Sequence, residues 1–386
     1  MSSRVLFLNH CGVLGGAELV LLDVAAHFRH EGEVILFEDG PFRSRLEGVG
    51  VQVSVMKAPA ALMGVRRGGG FLSGLSAAPG AVSFALEVAR RAKSFDMVYA
   101  NSQKAMVIGS LAALIARKPL VWDLNDIMSS EHFSFFHRRL ATGLANTLCD
   151  RVIANSQASA QAFKMAGGFA VPVVVYPGID PGPFLAIDAG KAAAARRELG
   201  FPSGPLVGMF GRLAPWKGQH VLLDALDRLP GVQAMFVGEA LFGEDEYAER
   251  VRARVRDEGL SSRVRFVGFR EDVASLMSAV DILVHASISP EPFGRVIVEG
   301  MLAAKPVLAA RAGGVVEIIA DGADGFLFEP GDATALASLI RRLTTDSEAA
   351  ASVGRRARQS ALSRFTRDTM VAAVRREVDS LVGARA

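Results

Sequence analysis

Short β-rich runs alternate with helical stretches along this chain, and the alternation breaks once and then restarts. In the first half the strand candidates are Val5–Leu8, Val34–Phe37, Val51–Val55, Met97–Ala100, Leu120–Trp122, Val152–Ala154 and Val173–Val175. Between them, Ala17–Phe28, Val82–Lys93, Met106–Arg117 and Ser156–Met165 carry apolar residues at helical spacing. This order predicts a parallel sheet with helices on both faces. The run Tyr176-Pro177-Gly178-Ile179-Asp180-Pro181-Gly182-Pro183-Phe184 can continue neither element and reads as a rigid interdomain linker. Six further strand candidates follow: Leu206–Phe210, Ala234–Val237, Val264–Phe266, Ile282–Val284, Val307–Ala309 and Phe326–Phe328, with a helical tail from about Asp332. The expected class is therefore α/β, with two doubly wound, Rossmann-like domains facing a central cleft that the carboxyl ends of both sheets can reach. A length of 386 residues lets each domain bury its own core.

Composition narrows the partners. Charged residues make up 22% of the chain and the formal net charge is +3, without a dense Lys/Arg run interleaved with aromatics, so nucleic acid is not an expected partner. Cys11 and Cys149 have no C-x-x-C spacing, which argues against a zinc site or disulfide framework and fits a reducing compartment. The start of the chain does not read as a signal peptide, because the short apolar run after Arg4 ends in Asn9-His10. The longest uncharged apolar stretch, Ala105–Ala116, is about half of a membrane span. The expectation is a cytoplasmic protein, at most peripheral on the inner face of a membrane. Ala58–Gly80, with Arg66-Arg67-Gly68-Gly69-Gly70, lacks periodicity and reads as a surface loop, or alternatively as a basic lip for an acceptor or a membrane.

The segment most informative about chemistry is Ser287-Ile288-Ser289-Pro290-Glu291-Pro292-Phe293-Gly294-Arg295 with Glu299. Glu291 falls on a strand-to-helix loop, and Glu299 in the first turns of the helix expected from Arg295. Peptide N–H groups around Phe293 and Gly294 favour an anion at that helix start. A carboxylate for hydroxyls, N–H groups for a phosphate and a second carboxylate suit a sugar nucleotide. A surface helix with two unrelated glutamates is the competing reading. Gly211-Arg212-Leu213-Ala214-Pro215-Trp216-Lys217-Gly218 puts Arg212 and Lys217 on one βα loop, where two cations can stabilise a departing diphosphate more than the bound one. It is not a P-loop, since the G-x-x-x-x-G-K-[ST] order is absent.

Three glycine-bearing turns are individually bland. Gly15-Gly16-Ala17-Glu18 lacks the G-x-G-x-x-G spacing of a dinucleotide site, Gly268-Phe269-Arg270-Glu271-Asp272 ends a strand, and Gly313-Gly314-Val315-Val316-Glu317 opens a later helix.

Taken together and in this order, these motifs resemble the family-four retaining glycosyltransferases of GT-B fold (glycosyl transferases group 1). The resemblance runs over essentially the whole chain and is most specific from Arg212 to Glu317. It implies an acceptor-side domain over 1–180, a nucleotide-sugar donor-binding domain over 181–365, and a helix over 366–386 crossing back to the first. It implies that Arg212 and Lys217 hold the donor diphosphate, that Glu299 takes the ribose hydroxyls, and that Glu291, helped by N–H groups near Phe293 and Gly294, binds the transferred sugar. Gly15 and Gly16 would approach the diphosphate when the cleft closes, and Phe269 and Arg270 would frame the base. The implied reaction is metal-independent and cofactor-free transfer of a hexose-type sugar, with retention by front-face displacement, from a nucleotide-diphosphate sugar to a hydroxyl of a saccharide or glycolipid acceptor. A cell-surface polysaccharide or glycolipid pathway is the implied setting. Many relatives carry a histidine after the strand corresponding to Leu120–Trp122. Here the residues are Asp123-Leu124-Asn125-Asp126, with none until His132. Asp123, Asp126 or His10 are candidates for the missing polar contact, and helix-capping aspartates are the bland alternative. A phosphorylase, or a GT-B sugar-nucleotide-binding protein or epimerase without transferase activity, remains the alternative function.

Overall fold

The computed structural model describes residues 3–64, 71–129, 131, 133–201, 203–241 and 243–384, with backbone only for 71–77. The chain divides into two compact units, Met1–Gly178 with Arg367–Ala386, and Ile179–Thr366.

The first unit is built on a sheet of β1 (Val5–Asn9), β2 (Gly32–Leu36), β3 (Gln52–Val55), β4 (Met97–Ala100), β5 (Leu120–Leu124), β6 (Arg151–Ala154) and β7 (Val173–Val174). Their order is β3-β2-β1-β4-β5-β6-β7, and every pairing is parallel. Strands covered on both faces can be apolar throughout, and here alternate residues serve two cores. Leu6 and Leu8 of β1 pack with Phe84 and Val88, while Val5 and Phe7 pack on the opposite face with Met370, Val374 and Val378. The latter three belong to the last helix, Arg367–Gly383, which is therefore part of this unit's core. Arg375 bonds Glu31 (Nη1–Oε2 2.8 Å), and Arg151 pairs with Glu377 (3.1 Å), fastening that helix at its polar edges.

The second sheet holds β8 (Leu206–Phe210), β9 (Gln233–Val237), β10 (Val264–Gly268), β11 (Ile282–His285), β12 (Val307–Ala310) and β13 (Phe326–Phe328). Its order is β10-β9-β8-β11-β12-β13, again with every pairing parallel. In each sheet the winding reverses beside the first strand: between β1 and β4 in one, between β8 and β11 in the other. Loops at the carboxyl ends of such a strand pair diverge to opposite faces and leave a crevice, which is where ligands bind in sheets of this kind. Ile179 donates to the carbonyl of Phe365 (2.9 Å) and bridges Thr366, so the two chain crossings run side by side.

The loop expected over Ala58–Gly80 is largely helix instead, Ala60–Met63 followed by Phe71–Ala92 with Pro79 inside. Alanine is a strong helix former even where apolar periodicity is weak, and a proline forfeits only part of one turn's bonding. Arg66 to Gly70 lie outside the described residues, as does His132. Among the described residues no helix is long and apolar enough to cross a membrane.

Candidate functional site

The carboxyl ends of β8 and β11 bring together residues 74 positions apart in sequence. After β8 the chain turns at Gly211 (φ 124°) into Arg212, then makes a short turn over Pro215–Lys217. Gly218 closes it at φ 78°, packed so tightly on the β11 loop that an added Cβ would lie 2.0 Å from the carbonyl oxygen of Ala286. Only glycine fits both the backbone angle and the space. The amide of Ile288 donates to the carbonyl of Trp216 (2.8 Å), so the two loops are stitched backbone to backbone.

That stitching delivers Lys217 to Glu291. The ammonium bonds Glu291 Oε1, which also accepts from Ser287 Oγ (2.8 Å) and bonds His285 Nε2 (3.0 Å). Glu291 is 5% exposed. Burial alone would raise its carboxyl, but the charge of Lys217 and the bonds from His285 and Lys217 outweigh it and hold the group below the usual carboxylate range. A buried carboxylate kept ionised in this way is a strong acceptor for sugar hydroxyls. The backbone beneath it is fixed from behind: Gly314 N donates to the carbonyl of Glu291 (2.8 Å), and Gly313 bridges the same residue.

Arg212 also lies against Trp216. Its guanidinium is 5.6 Å from the indole ring and Lys217 Nζ is 4.2 Å from it, so both cations gather at the same indole. Arg212 Nη1 is 3.5 Å from Glu244 Oε2. The loop's path is fixed from below by Gln219, which donates to the carbonyl of Arg212 (2.8 Å) and accepts from Tyr247 (3.2 Å).

Gly294 (φ 109°) starts the helix Arg295–Leu302, at the residue where the sequence pattern places it. Phe293 is buried and packs edge-on against Phe365 (5.7 Å), so what it presents to a ligand is backbone. Glu299 lies on this helix, 3.9 Å from Arg295 Nη2. Burial raises its carboxyl and Arg295 pulls it down. Arg212, Lys217, Glu291, Phe293, Gly294 and Glu299 thus all sit on the loops and helix around the β8/β11 switch point. Phe269 and Arg270 follow the edge strand β10 instead. Phe269 is 63% exposed, and Arg270 forms a two-pronged pair with Asp272 (2.7 and 2.7 Å).

In the first unit, Gly15 and Gly16 open the helix Gly16–His27 directly beyond β1. His10 Nδ1 bonds Ser102 Oγ (2.9 Å) across the β1/β4 switch point. Asp123 is buried within β5, in the layer with Tyr99, Asn125, Met370 and Val374, and burial pushes its carboxyl up to about 6, with the neighbouring Tyr99 and Asn125 pulling it down. Asp126 follows β5 at intermediate exposure, and its charge is among the influences raising Glu18 after burial itself.

Sequence reasoning missed His285 and Glu244, and gave Ser287 no role although it opens the segment singled out. His285 is the last residue of β11, and its place at a strand's carboxyl end was the available signal. It also missed a directed amide chain in the first unit: Asn125 donates to Asn101 (3.4 Å), Asn101 to Asn9 (3.1 Å), and Asn9 to Glu18 (3.4 Å). The repeated Asn-Ser-Gln after β4 and β6 (101–103 and 155–157) marked those strand ends.

The comparisons with known proteins follow the two units. Residues 14–182 match the family described as Glycosyltransferase Family 4, and residues 192–360 the family described as Glycosyl transferases group 1. HepE of Anabaena, solved in complex with UDP and glucose, is 42% identical with a TM-score of 0.90, covering 98% of this chain and 100% of that one. The lipopolysaccharide core biosynthesis glycosyltransferase LpsE of Rhizobium meliloti is 32% identical over 179 residues, 46% of this chain and 51% of that protein. The D-inositol 3-phosphate glycosyltransferase of Streptomyces avermitilis is 30% identical over 294 residues, 69% of this chain and 61% of that protein. The chain thus spans between half and two thirds of the length of these two curated relatives.

Proposed function

The chain belongs to the family 4, group 1 glycosyltransferases of GT-B architecture, and from that premise we propose that it transfers a hexose, with retention, from a UDP-sugar to an acceptor hydroxyl in cell-surface polysaccharide or glycolipid synthesis. The observation that carries the reading is the meeting of Lys217 with Glu291 at the β8/β11 switch point, beside Arg212 on Trp216. The likeness to HepE, whose crystal structures hold UDP, glucose and UDP-glucose, supports UDP-glucose as the donor to test first.

In this reading the second unit binds the donor. Arg212 and Lys217 meet the diphosphate, the N–H groups at Gly294 and Arg295 add the positive end of a helix dipole, and Glu299 takes the ribose hydroxyls. Glu291 takes hydroxyls of the sugar. As the anomeric carbon–oxygen bond breaks, charge grows on the phosphate oxygens, and the two cations stabilise it without a metal ion. The acceptor oxygen attacks from the face the diphosphate leaves. Its proton passes to the departing phosphate oxygen, so the anomeric configuration is kept. The first unit is assigned to binding the acceptor. No cofactor enters the scheme.

A thermal-shift panel of UDP, GDP, ADP, dTDP and their sugar conjugates, with and without EDTA, tests this. UDP and UDP-glucose are expected to raise Tm equally in both conditions, since a ligand binding only the native state stabilises it by mass action. A shift abolished by EDTA would overturn metal independence, and no shift with any nucleotide would overturn the donor site. Glu299→Ala is expected to weaken UDP binding about tenfold, the worth of roughly one charge-assisted hydrogen bond. Unchanged titration calorimetry would remove Glu299 from the site. Retention is read by NMR of the sugar first released from UDP-α-glucose by slow hydrolysis. The α anomer is expected, and β would exclude front-face displacement.

A further inference from the structure

The two cations assigned to the donor's diphosphate are already matched by carboxylates, one for one. Lys217 meets Glu291 and Arg212 meets Glu244, so the four formal charges sum to zero. A diphosphate arriving at this set gains full use of a cation only when a carboxylate yields its place.

The two carboxylates are held very differently. Glu291 is buried, and its Oε1 alone engages Lys217, His285 and Ser287. Glu244 Oε2 is also buried, yet it makes no hydrogen bond among the described residues. Arg212 Nη1 stands 3.5 Å from it, longer than the roughly 2.7–2.9 Å of a good charge-assisted bond. Burial works against its charge, and the neighbouring Arg212, Trp216 and Lys217 only partly offset this. Glu244 immediately precedes the helix Asp245–Asp257, whose first turn already carries Asp245 and Glu246. If Glu244 swings out, that helix start keeps two anions on its positive end. Of the two carboxylates, Glu244 is the one that can leave at low cost.

We infer that Glu244 is a positioning residue: it holds the Arg212 guanidinium over Trp216 until the donor's phosphate displaces it, and it competes with that phosphate for Arg212. The inference rests on the donor-site reading given above. Its consequence for turnover is a weakened hold on the nucleoside diphosphate product, because the same carboxylate is available to reclaim Arg212 as the product leaves. Product release limits turnover in many enzymes, and an internal competitor shortens that step.

The test is a double-mutant cycle by titration calorimetry with UDP as the probe, on the full chain. Glu244→Gln keeps the side chain's size and removes its charge. It is expected to bind UDP about tenfold tighter than wild type, the removal of one competing charge. Arg212→Gln is expected to weaken UDP binding, and adding Glu244→Gln to it is expected to change nothing further, because the competitor acts through Arg212. A gain of affinity is a readout that a merely structural role would not give. UDP binding that is unchanged or weaker in Glu244→Gln overturns the inference alone, as does a gain that persists without Arg212. Failure of both wild type and Glu244→Gln to bind UDP, with both melting cooperatively, overturns the donor reading and takes the inference with it.

Discussion

Lys217→Ala is expected to lower turnover of the UDP-sugar by about 10²–10³-fold, the usual loss when a preorganised group facing developing charge is removed. It is also expected to cost about 3 kcal/mol of stability at neutral pH, because it leaves one partner of a buried ion pair uncompensated. The pH dependence separates this pair from an ordinary surface contact. In wild type the Glu291 carboxyl is held below its ordinary value of 4.5, so the stability it contributes is present above that value and is lost as pH falls through the lower, folded one. Without Lys217, burial dominates and the carboxyl rises above its ordinary value. Stability is then greatest where the group is protonated and falls as pH rises through the new value. The gap between the two proteins should therefore widen from about pH 4 to pH 7. Melts at several pH values check this. Parallel curves would mean that Lys217 does not compensate Glu291, and unaltered turnover would remove it from the donor site.

Gly313→Ala is expected to be nearly as damaging, although residue 313 need not touch a ligand. An added Cβ would lie 2.2 Å from the carbonyl oxygen of Glu291, and the backbone stands at φ 63°. Either the Glu291 loop moves or the β12 turn does. Both routes disturb the carboxylate's position relative to Lys217 and His285. Strain of this kind costs about 1–3 kcal/mol in the backbone alone, with steric overlap added. We expect a Tm loss of several degrees together with at least tenfold weaker UDP-sugar turnover. A variant that keeps wild-type Tm and kinetics would show that the close packing of Gly313 on Glu291 is not what holds the site.

Most of the architecture was legible because fully covered parallel strands are short apolar runs, and the helices between them bring their own periodicity. All thirteen strands begin within two residues of the corresponding sequence run, and β11 runs one residue past its own, to His285. The helix Phe71–Ala92 was expected only from Val82, and its first half was missed because alanine and serine carry no apolar stripe and Pro79 reads as a break. Within the site, the two glutamates and the two cations stood out by residue type and spacing. Their pairing did not. Nothing in the local sequence links Lys217 to Glu291 rather than to Glu244, and a histidine ending an apolar run looks like any strand terminus.

The order of residues by itself determined the class of fold, the restart after Pro177 and Gly178, and the placement of Arg212, Lys217, Glu291 and Glu299 on βα loops and a helix start. Those follow from periodicity and from what glycine and proline forbid, which are local properties. Only the tertiary structure decided which charges neutralise one another. That depends on β8 and β11 being sheet neighbours although β9 and β10 intervene in sequence, and on Gly218 letting one loop close against Ala286. Burial then turns a list of charged residues into a buried pair around Glu291 and a loosely held one around Glu244, because the energy of an ion depends on what surrounds it, and neighbours far apart in sequence supply those surroundings.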